Sequence, residues 1–418
     1  MKQIVIDGGK TLKGTIKVSG AKNSAVALIP AALLSSGIVK IDNIPDISDV
    51  KALEDILTFL GAKVKHEGNL MEIDSSNVVS KEIPRELSNK LRASYYFMSA
   101  LLGRFKDVTM YFPGGCSIGA RPIDQTLKGY RALGANVTEV EDKVTVKASK
   151  LKGDDIYLDM PSVGATINIL LSACISEGVT VIHNAAKEPE IVNVATFLNN
   201  MGAKIKGAGT SVVTITGVDK LGSCFTEVIP DRIEAGTYIV AGALCGDKLR
   251  VENLIPKHID AFLSKLDEMG VELEVGTDYV VVSKTPCIKP VNIKTLGYPG
   301  FATDLQQPIT PLLCTCEGVS KLEETIYENR YKNIPELEKM GASVETITNR
   351  IIKIHGPIEF KGANVSATDL RAGACLVLAG LAAKGKTTID NVEYILRGYE
   401  NIIGKLTDVG ASISLIDN

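Results

Sequence analysis

The sequence predicts an α/β fold of two domains, each made of three copies of a β-α-β-α-β-β unit with helices buried inside and sheets outside. Three observations predict it. A hydrophobic-Gly-small step recurs at Leu60-Gly61-Ala62, Leu133-Gly134-Ala135, Met201-Gly202-Ala203, Met269-Gly270-Val271, Met340-Gly341-Ala342 and Val409-Gly410-Ala411, so its glycines stand 68 to 73 residues apart. Glycine just past a helix C-terminus is a stop signal. Upstream of each step lies a helical run of small apolar residues with no polar face, the signature of a buried helix. These runs are Ala21–Ser35, Arg92–Leu102, Val163–Ile175, Ile233–Cys245, Thr303–Cys316 and Asp369–Ala383. Each is followed by a short strand: Val39–Ile41, Val108–Phe112, Thr180–Ile182, Leu249–Val251, Ser320–Leu322 and Thr387–Ile389. Four of these strands run within two residues into an asparagine, at Asn43, Asn184, Asn253 and Asn391.

Taken in order, the chain opens with strand-like Ile4–Ile6 and Gly14–Val18, expected to form the first strand pair. The last unit ends Ser412-Ile-Ser-Leu-Ile with no evident closing strand. The N-terminal strand is expected to close it. Domain boundaries are therefore expected near 20/21 and 229/230: residues 21–229 form one domain, and residues 1–20 with 230–418 form the other.

Composition narrows the function. The 418 residues carry a net charge of -3, no tryptophan and 5% aromatics. That implies no basic field for nucleic acid or a membrane surface and disfavours a base-stacking platform. The N-terminus has no apolar signal core, and the longest apolar runs are too short to span a bilayer. The eight cysteines show no disulfide framework, which points to a reducing cytoplasm. The histidines, at 66, 183, 258 and 355, are scattered, and Cys314-Thr-Cys316 lacks zinc spacing; no metal or cofactor is expected. Gly380-Leu-Ala-Ala-Lys-Gly385-Lys386-Thr387 spells a P-loop, but a helix precedes it and a strand follows, the reverse of the order a phosphate cradle needs.

The polar exceptions in this apolar scheme sit at helix starts and in the loops after the short strands. The helix starts carry Lys22-Asn23, Arg92, Ser162-Val163-Gly164, Asp231-Arg232, Thr303-Asp304 and Asp369-Leu-Arg371. The loops carry Cys116, Arg121, Arg330 and Arg397. A helix N-terminus attracts anions through its free N–H groups and its dipole. Asp304 and Asp369 equally suit plain N-capping, and an arginine is by default a solvated surface group. Gathered together, however, these cations would repel one another unless anions were bound, which points to polyanionic small substrates. The loop Pro113-Gly114-Gly115-Cys116-Ser117-Ile118-Gly119-Ala120-Arg121-Pro122-Ile123-Asp124 adds a thiol whose ionisation a nearby arginine favours.

That loop resembles one found in the enolpyruvyl transferases. So do Ser19-Gly-Ala-Lys22-Asn23-Ser, Leu91-Arg92-Ala-Ser, Ser162-Val-Gly-Ala-Thr, Thr303-Asp304-Leu-Gln, Glu324-Thr-Ile-Tyr-Glu-Asn-Arg330, Asp369-Leu-Arg371-Ala and Arg397-Gly-Tyr-Glu. The resemblance runs from Ile4 to the C-terminus and implies an inside-out α/β barrel in each domain. It implies transfer of the enolpyruvyl group of phosphoenolpyruvate to the 3′-hydroxyl of UDP-N-acetylglucosamine, with release of phosphate. Two alternatives are a weak or silent paralogue and the sister activity on shikimate 3-phosphate. By resemblance, Lys22 and Asn23 contact phosphoenolpyruvate, and Arg92, Arg121 and Arg397 surround the charges of both substrates. Arg330 and Arg371 are expected to join them. Pro122, Ile123, Asp124 and Gln125, with Ser162, Val163 and Gly164, hold the uridine and diphosphate. Asp304 serves as base near the 3′-hydroxyl, Ile326 touches the sugar, and Cys116 donates a proton and forms a covalent adduct. The chain departs from the family pattern at Thr126 and Leu396, where histidine and aspartate are common.

Overall fold

A computed structural model describes residues 2–114 and 122–417. Cys116 and Arg121 lie outside the described residues. The chain separates into two compact units, one gathering residues 2–19 and 230–417, the other residues 20–114 and 122–229.

The described strands form six sheets, five of four strands and one of three. They remain separate, open sheets rather than one hydrogen-bonded cylinder, so the expected barrel is not a closed sheet. Edge strands such as Thr15–Lys17, Asp155–Tyr157, Asn292–Lys294 and Asn364–Ser366 are three residues long. An edge that short offers little backbone for recruiting a neighbour.

Within a unit, the strand before a buried helix pairs in parallel with the strand after it. Asp155–Tyr157 pairs with Val179–His183, Asn292–Lys294 with Gly318–Glu323, and Asn364–Ser366 with Lys386–Asp390. Where the chain passes from one unit to the other, the strand stays behind. Thr15–Lys17 pairs with Leu249–Glu252, and Cys224–Glu227 pairs with Ile38–Asp42. The expected pairing of Ile4–Ile6 with Gly14–Val18 is thereby corrected. Lys2–Asp7 instead lies between Lys386–Asp390 and Ser412–Asp417, in another sheet from Thr15–Lys17. Ile4 and Ile6 are fully buried, and a strand flanked on both sides covers them as an N-terminal edge hairpin would not. Lys2–Asp7 pairs antiparallel with Ser412–Asp417 and so supplies the closing strand that the last unit lacks, as expected.

The helices under these sheets are buried on every side, with a few polar side chains among the apolar ones. Every residue from Ile233 to Cys245 in the helix Arg232–Cys245 is buried, as is every residue from Leu305 to Leu313 in Thr303–Leu313 and from Arg371 to Leu381 in Leu370–Ala382. In the other unit, Lys22–Ala31 and Val163–Ala173 are buried except at their first residues. Arg92–Tyr95, expected as the first turn of an α-helix, is a 3-10 turn leading into the helix Tyr96–Phe105. Tight first turns of this kind are common at helix N-termini. Downstream of Gly385, Lys386–Asp390 is a strand, so the P-loop spelling opens no helix.

The six recurring glycines are all left-handed, with φ from +80° to +106°, which is why no other residue type stands there. The four asparagines use the same region, with φ of 56° to 59°. Their amides then do one job four times. Asn43 Nδ2 donates to the Val228 carbonyl (2.8 Å), Asn184 to Leu158 (2.9 Å), Asn253 to Val18 (2.7 Å) and Asn391 to Ala367 (3.3 Å). Each accepting residue lies just past the parallel partner strand. Asparagine is the side chain that tolerates this backbone and also reaches a local carbonyl. Asn184→Ala is expected to cost about 1–3 kcal/mol, because alanine adds backbone strain to the lost hydrogen bond. Asn184→Gly loses only the bond and costs less. Denaturant midpoints that rank alanine above glycine in stability would contradict this account.

Candidate active site

In the unit built on residues 20–229, the buried helices begin with cations or neutral donors. Lys22 opens its helix after Ala21, which provides no side-chain cap, so first-turn N–H groups face outward. Lys22 Nζ lies 3.0 Å from Asp49 Oδ2 in the first turn of Ser48–Leu60, and Asp49 is buried. Asn23 is half-buried beside it. The sequence held no sign that Asp49 is the partner of Lys22.

Arg92 projects over the ring of Tyr95, 5.7 Å from its centre. The Tyr95 hydroxyl lies against Gly164, where a Cβ would overlap it. Arg92 is thereby brought to the start of the helix Val163–Ala173. Ser162 caps this helix, its Oγ accepting from the Ala165 N–H at 3.2 Å. Alongside runs the helix Asp124–Ala132, preceded by Pro122 and by Ile123, which is 6% exposed. Its Gln125 clasps the segment before Ser162: Gln125 Nε2 donates to Asp159 Oδ2, and the Asp159 N–H donates to Gln125 Oε1, both at 2.9 Å. Lys128 Nζ adds a contact to Asp159 Oδ1 at 2.8 Å. Arg92, Asp124, Gln125, Ser162, Val163 and Gly164 therefore form one neighbourhood. Thr126 is buried.

In the unit built on residues 2–19 and 230–417, carboxylates begin the buried helices. Asp231 caps Arg232–Cys245 by accepting from Ile233 and Glu234 N–H groups. Asp369 caps Leu370–Ala382 by accepting from Arg371 and Ala372, and it also accepts from Gln307 Nε2 at 3.1 Å. Asp304, in the first turn of Thr303–Leu313, accepts from two buried guanidiniums: Arg330 Nη2 at 2.8 Å and Arg371 Nη2 at 3.2 Å. Burial pushes the Asp304 carboxyl up, but the charges of Arg371 and Arg330 outweigh that and hold it well below the usual carboxylate range. Arg371 lies 5.2 Å from the centre of the Tyr399 ring, whose hydroxyl meets Thr237 Oγ1 at 2.9 Å.

Glu324 builds the loop that carries Ile326. Fully buried, it accepts from the Ile326 and Tyr327 N–H groups (2.7 and 3.1 Å) and, through its other oxygen, from Thr303 Oγ1 at 2.8 Å. Ile326 is left 39% exposed next to Asp304's helix. Arg397 is half-buried where the helix Glu393–Leu396 ends, and Leu396 packs on the core. Three residues on, Glu400 accepts from Ser19 Oγ, while Lys405 Nζ donates to Ser19 Oγ (2.5 Å) and Glu234 Oε1 (2.6 Å). Asp49 and Tyr95 escaped the sequence reading, and Glu324 and Tyr399 entered it only as parts of motifs, without their tasks. Asp49, Tyr95 and Tyr399 each meet a partner distant in the chain, and Glu324 joins its own loop to Thr303.

A family model for EPSP synthase (3-phosphoshikimate 1-carboxyvinyltransferase) matches residues 6–406. The chain is 52% identical over 419 residues to UDP-N-acetylglucosamine 1-carboxyvinyltransferase 1 of Streptococcus agalactiae serotype V, covering all of both. It is 53% identical over 412 residues to UDP-N-acetylglucosamine 1-carboxyvinyltransferase 2 of Listeria monocytogenes serovar 1/2a, covering 99% of this chain and 97% of that one. Among solved structures, the enolpyruvyl transferase NikO from Streptomyces tendae aligns with a TM-score of 0.90 and 29% identity over 99% of both chains. EPSP synthase from Acinetobacter baumannii aligns with a TM-score of 0.76 over the whole of both chains, at 19% identity, a likeness of fold alone.

The Asp304 ion pairs set a pH signature. A carboxylate whose folded pKa is depressed contributes stability above its unfolded pKa, near 4, and loses it as pH falls further. Asp304→Asn strands two buried guanidiniums together and is expected to cost about 3–5 kcal/mol at neutral pH. The gap between wild-type and variant unfolding midpoints is expected to stay level from pH 8 to about pH 5 and to narrow below about pH 4. A gap that widens on acidification would contradict the assignment.

Proposed function

We propose that this chain, which belongs to the enolpyruvyl transferase family, transfers the enolpyruvyl group of phosphoenolpyruvate to the 3′-hydroxyl of UDP-N-acetylglucosamine and releases phosphate. The observation that carries this is full-length identity of 52–53% to chains bearing that enzyme's name, against 19% to an EPSP synthase. The shikimate 3-phosphate reading is correspondingly the weaker. The reaction commits the nucleotide sugar to peptidoglycan precursors in the cytoplasm. We take the two compact units as the family's two domains, three βαβαββ units each, meeting in sequence near residues 20 and 229.

The residue chemistry supports the reaction. In the addition, the sugar O3 bonds to C2 of phosphoenolpyruvate, its proton passes to Asp304, and C3 gains a proton from Cys116. In the elimination, C3 gives a proton back to the Cys116 thiolate, the C2–O bond to phosphate breaks, and phosphate leaves with the proton held on Asp304. Cys116 also serves as the nucleophile of a covalent adduct. Lys22, Asn23, Arg92, Arg121 and Arg397 hold the phosphate and carboxylate charges, and no metal is needed to stabilise them. Pro122 to Gln125 and Ser162 to Gly164 hold the uridine diphosphate, whose negative charge suits the capped helix start. Ile326 meets the sugar.

Asp304 carries a condition. Between two guanidiniums it is a weak base. It gains basicity when arriving phosphate and carboxylate groups draw Arg330 and Arg371 towards themselves. Substrate binding would therefore arm the base as well as position it.

Phosphate release is expected only when both substrates are present. An epoxide phosphonate such as fosfomycin is expected to alkylate Cys116, adding one adduct by intact mass that Cys116→Ala lacks. Absence of release at any concentration, or an adduct on another cysteine, overturns the reading.

A further inference from the structure

We infer that Tyr130, Ser99 and Asn168 form a positioning chain that sets the nucleotide-sugar end of the site, a role that rests on the reaction proposed above. All three side chains are fully buried, and each lies on a different helix: Ser99 on Tyr96–Phe105, Tyr130 on Asp124–Ala132 and Asn168 on Val163–Ala173. Tyr130 OH and Ser99 Oγ are 2.5 Å apart, and Ser99 Oγ donates to Asn168 Oδ1 at 2.6 Å. Since that uses the serine proton, the tyrosine donates to the serine, and its hydroxyl also donates directly to Asn168 Oδ1 at 3.3 Å. Asn168 Nδ2 in turn donates to the Gly164 carbonyl at 2.9 Å. Burial pushes the Tyr130 phenol up, so it stays a neutral donor throughout the working pH range. The protons thus run one way, from Tyr130 to Asn168, directly and through Ser99, and on to Gly164. Such a chain in a low-dielectric interior polarises along its length.

Burying an amide and two hydroxyls is costly unless all are satisfied, and here each finds a partner in the others or in the Gly164 carbonyl. What the chain adds is registration. It ends on Gly164, the residue against which Tyr95, and over it Arg92, are seated. It begins on the helix whose first turn supplies Asp124 and Gln125. The two helices nearly touch beside it, because a Cβ at Gly129 would come within 2.5 Å of Ile169 Cγ1. At the mouth, Gln125 and Asp159 clasp the same two segments. An inner and an outer tie therefore hold the start of Val163–Ala173 against the start of Asp124–Ala132, the two places assigned to the uridine diphosphate.

Calorimetric Kd for UDP-N-acetylglucosamine and steady-state turnover test this on the full-length protein. Tyr130→Phe, which deletes one oxygen and keeps the shape, is expected to raise Kd and KM for the nucleotide sugar about 5- to 20-fold, with KM for phosphoenolpyruvate within about twofold. Ser99→Ala is expected to act likewise. The double variant, which removes both the direct and the serine-mediated route to Asn168, is expected to be at least as impaired as Tyr130→Phe. Ile239→Val, in the other unit, serves as a control of comparable destabilisation and is expected to leave Kd unchanged. If wild type binds and turns over while both single variants keep Kd within twofold and lose only melting temperature, the chain is merely structural and the inference falls. If wild type neither binds nor turns over the nucleotide sugar, the proposed function fails and takes this inference with it.

Discussion

A helix buried on every side can present chemistry only at its ends, and this constraint shapes the whole molecule. The long flanks of Arg232–Cys245, Thr303–Leu313 and Leu370–Ala382 are fully engaged with neighbouring helices and strands. Their backbone N–H groups are unsatisfied only in the first turn. Polar residues are therefore concentrated at helix starts and in the loops facing them. A substrate with several negative charges is the natural guest of such positions, because dipole and side-chain charge act in the same direction there.

The two units use those starts in opposite ways. One begins its buried helices with Lys22, Arg92 and Ser162, the other with Asp231, Asp304 and Asp369. Carboxylates at helix starts need no further partner, and Asp231 and Asp369 behave as caps. Asp304 differs in that it accepts from Arg330 and Arg371 rather than from its own helix. Against the upward push of burial, the charges of those two guanidiniums hold its carboxyl well below the usual carboxylate range. Glu324 and Tyr399 steady its surroundings, the first by tying Thr303 to the Ile326 loop and the second by seating Arg371.

Repetition made much of this legible in the chain. Six glycines at near-equal spacing marked helix ends because a left-handed residue past a helix is a local demand. The same locality made the asparagines visible, though not their task. Their amides reach carbonyls as far away as Val18 from Asn253 and Val228 from Asn43, pairings that no window of sequence contains. The candidate residues were likewise found through motifs, whereas Asp49 and Tyr95 were not. A supporting side chain is recognised by where its partner lies in space.

Composition, periodicity and helix-end chemistry by themselves determined the α/β class, the buried helices and the stretches that carry charge, because each depends on residues within a few turns of one another. The place of Lys2–Asp7 beside the last unit was legible, but tertiary structure alone decided that it does not pair with Thr15–Lys17, and that strands stay behind where the chain changes unit. It alone set two arginines on Asp304 and threaded Tyr130, Ser99 and Asn168 into one line. Those outcomes depend on which distant backbones come within hydrogen-bonding reach, and that distance is fixed only once the helices and sheets have packed.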